Sequence, residues 1–253
     1  MGGFLDQVFV YHPSPWTHRE WARLSGLPLQ DTWFHAEDET TLFGWFVEAS
    51  PTSPVLLWCH GNAGNIINRL DNLTHLYRLG FSVFLFDYRG YGQSNGSPSE
   101  EGLYQDALAA YDYLAKTRRV VSKRMILFGR SLGAAVAGYL ASQRPAAGLI
   151  LESAFPSVES MAKVHYFGLP AHWLLSSRYD LLEPLKSVSV PVLVIHGDQD
   201  EIVPIDLGKQ VFDAARQPKS FYLVEGADHN NLYAIGGRPY FQRLKRFSDE
   251  VVG

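Results

Sequence analysis

The sharpest chemical signal in the chain is Gly129-Arg130-Ser131-Leu132-Gly133, a G-x-S-x-G pentapeptide. It follows the apolar run Met125-Ile126-Leu127-Phe128 and opens into Ala134-Ala135-Val136-Ala137, a helix-forming stretch. A serine so placed sits on a tight strand-to-helix turn that exposes its hydroxyl. Glycines flank it because the strained turn leaves no room for neighbouring side chains. Free N–H groups and the dipole of the helix that follows favour negative charge at that point. A serine hydroxyl is too weak an acid to attack a carbonyl unaided, so a base is required. Of the 9 histidines, His229 in Gly226-Ala227-Asp228-His229-Asn230 follows the last apolar run, which places it at the same sheet edge as Ser131. His60 and His196 also stand at strand ends. His12, His18, His35, His75, His165 and His172 fall in the N-terminal segment, a helix or a long insertion.

A third group must hold the imidazole tautomer and stabilise the imidazolium. Asp200, in His196-Gly197-Asp198-Gln199-Asp200-Glu201-Ile202-Val203-Pro204, is the preferred acid. A turn needs a few residues to bring a carboxylate back over the sheet edge. Asp198 and, more weakly, Glu152 are its rivals. A tetrahedral intermediate also needs two N–H donors for its oxyanion. Leu132 N–H, directly after the serine, is one. The loop His60-Gly61-Asn62-Ala63-Gly64-Asn65 offers the other, assigned to Asn62 with Ala63 as the near alternative.

The elements that must position these residues alternate short apolar runs with helical patterns, as in a mostly parallel sheet covered on both faces. Residues 32–36 and 42–47, separated by a polar turn, read as an antiparallel hairpin. Residues 55–59, 82–87, 125–129, 148–151, 192–196 and 221–224 complete eight candidate strands. Sheet-covering helices are expected over 65–79, 132–143, 206–215 and 239–251. Another should start at Ser97-Pro98-Ser99-Glu100, read as a capping box with proline in the first turn. About forty residues without a strand follow the sixth run. Within them, residues 155–189 are the candidate cap, carrying Met161, Tyr166, Phe167, Leu169, Trp173, Leu174 and Leu175. Tyr166, Phe167, Trp173 and Leu174 are the expected lining of an apolar acyl pocket.

His60–Asn65, Asp87-Tyr88-Arg89-Gly90-Tyr91-Gly92-Gln93-Ser94, the pentapeptide, the segment from His196 to Pro204 and His229 together resemble the α/β-hydrolase superfamily. More narrowly they resemble the branch of small bacterial esterases and eukaryotic depalmitoylating serine hydrolases. The resemblance covers the chain from about Leu42 onward. It implies an α/β-hydrolase fold, with an eight-stranded mostly parallel sheet, helices on both faces and a small helical cap. It also implies a triad in the order Ser131, Asp200, His229, because the aspartate before Glu-Ile-Val-Pro supplies the acid in that branch. No cysteine cluster of the depalmitoylase kind is present near the N-terminus.

Composition bounds the rest. The 253 residues are 46% hydrophobic and 19% charged, which suits one large globular domain. A net charge of −4 gives no reason to expect nucleic acid or an anionic membrane as partner. The basic stretch from Lys116 to Arg124 reads as decoration of a helix C-terminus. The single Cys59 excludes an intramolecular disulfide and reads as packing. Gly90-Tyr91-Gly92-Gln93-Ser94-Asn95-Gly96 departs from a dinucleotide fingerprint and reads as a loop beside the active site. No apolar run reaches the roughly 18 residues of a membrane span. The expectation is a cytoplasmic, cofactor-free hydrolase of small-molecule carboxylic esters with short to medium acyl chains. A thioesterase, a lysophospholipase, an amidase or a catalytically silent binding protein share the same residues.

Overall fold

The computed structural model of the chain describes residues 4–17, 25–165 and 175–253. Its main sheet has eight strands: β1 (Leu29–His35), β2 (Thr41–Val47), β3 (Val55–Cys59), β4 (Ser82–Asp87), β5 (Met125–Arg130), β6 (Gly148–Glu152), β7 (Val192–Gly197) and β8 (Lys219–Val224). The spatial order is β1-β2-β4-β3-β5-β6-β7-β8. β2 runs antiparallel to both β1 and β4, and the remaining neighbours are parallel. This is the α/β-hydrolase fold that the resemblance implies.

Central strands are buried along their length, save the half-buried Arg130 at the end of β5, as continuously apolar runs require. Period-two alternation divides their side chains between two cores. Val55, Leu57 and Cys59 of β3 and Met125 and Leu127 of β5 face one layer. There they meet Leu103 and Ala107 of the helix Glu100–Asp112 and the small residues of the helix Leu132–Gln143. Leu56, Trp58, Ile126 and Phe128 face the other layer. It is closed by Leu73 and Leu76 of the helix Leu70–Arg78 and by Tyr240, Leu244 and Phe247 of the helix Leu232–Val252. Because β3, β5, β6, β7 and β8 are parallel, their C-terminal ends lie along one edge of the sheet.

Several boundaries differ from the sequence reading. The helix Glu100–Asp112 is capped by Ser99, whose hydroxyl accepts the Gly102 N–H at 3.1 Å, so Ser97 is not its cap and Pro98 lies outside it. With Ser99 as cap, Glu100 is the first helical residue and cannot close a capping box; its carboxylate instead accepts the N–H groups of Arg178 and Tyr179, at 2.6 and 2.7 Å. β1 begins at Leu29, three residues before the expected start, because its exposed Gln30 and Asp31 pair with the β2 backbone and the Asp31 carboxylate accepts from Trp45 Nε1 at 3.0 Å. Within the helix Leu232–Val252, Gly237 is non-helical (φ 48°, ψ −138°), and the expected helix beginning at Pro239 is the part after this break.

Between β6 and β7 the described residues form the helices Val158–His165 and Leu182–Leu185. The N-terminal segment packs on this region. Tyr11 Oη lies 3.1 Å from Ser177 Oγ and 2.8 Å from Tyr179 Oη, and Asp6 accepts from Ser176 N–H at 3.0 Å. Tyr166, Phe167, Trp173 and Leu174, expected to line a pocket, lie outside the described residues, as does Leu169. No helix among the described residues is long and apolar enough to cross a membrane.

Candidate active site

Ser131 occupies the turn between β5 and the helix Leu132–Gln143 with φ 54° and ψ −121°. A positive φ at a non-glycine residue costs on the order of 1–3 kcal/mol, so surrounding contacts must hold it. The Ser131 N–H donates to the Glu152 carbonyl at 2.8 Å, and the Ser131 carbonyl accepts from Ala134 N–H at 2.8 Å. The flanking glycines are needed for close approach. A Cβ on Gly129 would lie 2.3 Å from the Gly133 carbonyl oxygen, and one on Gly133 would lie 2.1 Å from that of Cys59.

His229, in the loop after β8, brings Nε2 to 3.0 Å from Ser131 Oγ. Its Nδ1 is 2.8 Å from Asp200 Oδ2. Asp200, in the loop after β7, uses Oδ1 to accept the N–H groups of Val203 at 2.7 Å and Ile202 at 3.1 Å. Burial opposes ionisation of Asp200, but the hydrogen bonds with His229 and the Val203 N–H outweigh it. Its pKa is therefore lowered and the carboxylate stays charged. The three side chains thus form one chain of hydrogen bonds across three loops of the sheet edge.

The rivals have other partners. Asp198 is exposed and accepts the Gly226 N–H at 2.6 Å, tying the β7 and β8 loops together. Glu152 is buried and accepts from Tyr240 Oη at 2.5 Å, with Arg130 Nε 3.2 Å from its other oxygen. His196 packs against Gly208, and its Nε2 meets the Val203 carbonyl at 2.8 Å. Burial lowers its pKa, so it is neutral. His60 is fully buried beneath Tyr88, with Nδ1 2.7 Å from the Gly61 carbonyl oxygen, and desolvation pulls its pKa down to about 3. Burial pushes the Cys59 thiol up to about 12, so it stays protonated in the core.

The loop after β3 lies beside the elbow: a Cβ on Gly61 would stand 3.6 Å from Ser131 Cβ. Asn62 is fixed from several sides. Its carbonyl accepts from Tyr91 Oη at 2.8 Å and His12 N–H at 3.0 Å, and its side-chain amide donates to the Val10 carbonyl at 3.0 Å. Leu132 is the first residue of its helix, so its N–H has no acceptor within that helix. Of the glycine-rich loop, Tyr91 and Gly92 act from behind rather than lining the site. Gly92 (φ 52°) leaves space that Asp87 fills, since a Cβ there would lie 1.9 Å from Asp87 Oδ2.

Two cavities meet at Ser131 and His229. One, of about 660 Å³, is lined mainly by apolar side chains, among them Leu5, Phe9, Phe155, Met161, Leu175 and Ile202. Met161 and Leu175 come from the segment expected to supply an apolar wall. Leu5, Phe9 and Val10 of the N-terminus were not foreseen. Their run Phe4-Leu5…Val8-Phe9-Val10 is the amphipathic signal that could have found them. The second cavity, of about 430 Å³, is the more polar of the two and includes Ser14, Asn68, Arg69, Arg130 and Asn230 in its lining.

Arg130 was also missed. Its Nη2 donates to the His229 carbonyl at 2.5 Å while its Nε faces Glu152, so it links the elbow, β6 and the histidine loop. Nothing in the pentapeptide pattern constrains that position, and only the contact across 99 residues reveals the clamp.

The family model of the serine aminopeptidases, S33, matches residues 50–180. An uncharacterized protein of Mycobacterium tuberculosis is 42% identical over 224 residues, covering 88% of this chain and 80% of that protein. The zebrafish (Danio rerio) lysophosphatidylserine lipase ABHD12 is 36% identical over 199 residues, covering 70% of this chain and 51% of that protein. Among solved structures, the Pyrococcus furiosus esterase Pf2001 superposes with a TM-score of 0.79 at 19% identity, covering 97% of this chain and 98% of that one.

Proposed function

The chain belongs to the serine aminopeptidase S33 family of α/β-hydrolases, and from that premise we propose that it is a serine esterase acting through an acyl-enzyme on Ser131. The observation that carries the reading is the hydrogen-bonded series Ser131–His229–Asp200 opening on an apolar cavity of about 660 Å³. In this reading His229 Nε2 takes the Ser131 proton as Oγ attacks the ester carbonyl. Asp200 stays ionised and stabilises the imidazolium. The N–H groups of Asn62 and Leu132 receive the oxyanion. His229 then protonates the departing alkoxide, and water, activated by the same imidazole, releases the acid. No step calls for a metal or organic cofactor.

An ester is favoured over a peptide by the site's charge. An aminopeptidase must hold the ammonium of its substrate, yet no Asp or Glu lines either cavity among the described residues, whereas two arginines do. The apolar cavity suits acyl chains of short to medium length. The test is hydrolysis of p-nitrophenyl esters from acetate to palmitate beside Ser131→Ala, with fluorophosphonate labelling as a second readout. The reading expects a short-to-medium optimum, with turnover and labelling both lost in the variant. A folded protein that neither turns over any ester nor labels at Ser131 overturns it and leaves a binding role on the same fold.

A further inference from the structure

Resting on that esterase reading, we infer that the polar cavity beside Ser131 is a subsite for an anionic leaving group, with Arg69 as its principal cation. The acyl group and the leaving group of an ester depart from the carbonyl carbon in different directions, so two spaces are needed at the nucleophile. The structure has two. They share Asn62, Ala63, Ser131, His229 and Asn230 in their linings and differ sharply in character. The apolar one suits an acyl chain. The other contains two guanidinium groups and no carboxylate.

The two arginines are not equivalent. Arg130 is met by Glu152 at 3.2 Å and by the His229 carbonyl. Arg69 donates through Nη2 to the Ala63 carbonyl at 2.6 Å, and its Nε is buried without a hydrogen-bond partner. No carboxylate among the described residues lies within ion-pairing distance of it. The groups acting on it from the protein side are Arg130, Asp87, Tyr233 and Tyr88. Desolvation, then Arg130, lowers its pKa only to about 10, so it remains charged at neutral pH. Asp87, the acid on that side, is pushed up to about 8 by burial and is mostly protonated at pH 7. A half-buried guanidinium with no carboxylate partner among the described residues, lining a cavity of about 430 Å³ next to the nucleophile, is complementary to phosphate or carboxylate oxygens. The chemical class is therefore an acyl ester of a small alcohol bearing an anionic group.

Octanoyl esters of glycerol, glycerol 3-phosphate and glycerate share the acyl chain and differ in leaving-group charge. The wild-type protein should show kcat/KM at least about tenfold higher for one or both anionic esters than for octanoylglycerol, the scale of one charge-assisted hydrogen bond. The phosphate and glycerate arms distinguish the two anions. In Arg69→Gln the anionic-to-neutral ratio should collapse toward one, and Arg69→Lys should restore part of it. Arg69 also braces the loop carrying Asn62, so a purely structural role would lower all three rates alike and leave the ratio intact, which overturns the inference. Preference of the wild type for octanoylglycerol overturns it too, while leaving the esterase reading standing. Absence of hydrolysis of every ester, p-nitrophenyl esters included, refutes both.

Discussion

Asp200→Asn is the most informative single change, because its consequence follows from hydrogen-bond direction rather than from loss of bulk. Asp200 Oδ1 accepts two backbone N–H groups, from Ile202 and Val203, and Oδ2 faces His229 Nδ1. An asparagine keeps its carbonyl oxygen toward the two N–H donors, where an amide nitrogen would be repelled. Its NH2 group must then face His229 Nδ1 and donate to it. The imidazole is forced into the tautomer with its proton on Nε2, where it donates to Ser131 Oγ and cannot accept a proton from it. Loss of the correct tautomer together with the carboxylate charge is on the order of 10⁴ in kcat. The loop should stay folded, since both backbone hydrogen bonds survive, so Tm should move only slightly. Asp198→Asn, by contrast, touches only the Gly226 N–H and should cost less than about tenfold. Kinetics on a p-nitrophenyl ester for both variants, with thermal unfolding as a folding control, decide the matter. If Asp198→Asn proves the more damaging, or Asp200→Asn loses less than about tenfold, the assignment of the acid is wrong.

Three further outcomes can be measured directly. Gly133→Ala places a methyl 2.1 Å from the Cys59 carbonyl oxygen, which the backbone must yield to. It should lower stability by about 3 kcal/mol in urea unfolding and abolish turnover together. Arg130→Lys keeps the charge but cannot span Glu152 and the His229 carbonyl, so kcat on neutral esters should fall about tenfold; unchanged kcat would show the clamp idle. Asp87→Asn addresses pH: the folded pKa of Asp87 is raised to about 8 from 3.8, so the folded state retains a proton that the unfolded chain has lost. Stability linked to that proton is fully present below about pH 4 and is lost as pH rises through about 8. The Tm of Asp87→Asn should gain on the wild type steadily from pH 5 to pH 8 and then level off; a difference independent of pH would refute the burial argument.

The parts of the site written in local patterns were legible in the sequence. Ser131 announces itself through strand, paired glycines and small-residue helix, because the turn excludes side chains at fixed offsets. Asn62, Ser131, Asp200 and His229 each lie within five residues of the C-terminal end of a strand. Counting apolar runs therefore brings them to one edge before any coordinate is known. The choice of Asp200 over Asp198 rested on turn length and the family pattern, and the two residues diverge in the structure by burial and partner. The helix Glu100–Asp112 starts later than the Ser97–Glu100 pattern suggests because Ser99 is its cap, and Glu100 is turned to the amides of Arg178 and Tyr179, 78 and 79 residues away, which no local pattern reveals.

The same distinction explains why chemistry was easier to read than specificity. A proton relay needs particular atoms at particular separations, and the sheet edge supplies those separations to any chain with this strand order. The walls around the relay obey no such periodicity. Leu5 and Phe9 come from a helix that precedes the sheet, Met161 and Leu175 from the insertion after β6, and Arg69 from the turn before the helix Leu70–Arg78. Leu5 and Phe9 are placed by the docking of the N-terminal segment, through Tyr11 and Asp6, onto residues 176–179. On the esterase reading, the wall that Leu5, Phe9 and Leu175 give the apolar cavity depends on a contact between two segments outside the sheet. On that reading Tyr11→Phe, which removes the hydrogen bonds to Ser177 and Tyr179, should shift the acyl-chain optimum on p-nitrophenyl esters while fluorophosphonate labelling of Ser131 persists; an unchanged optimum would refute the link.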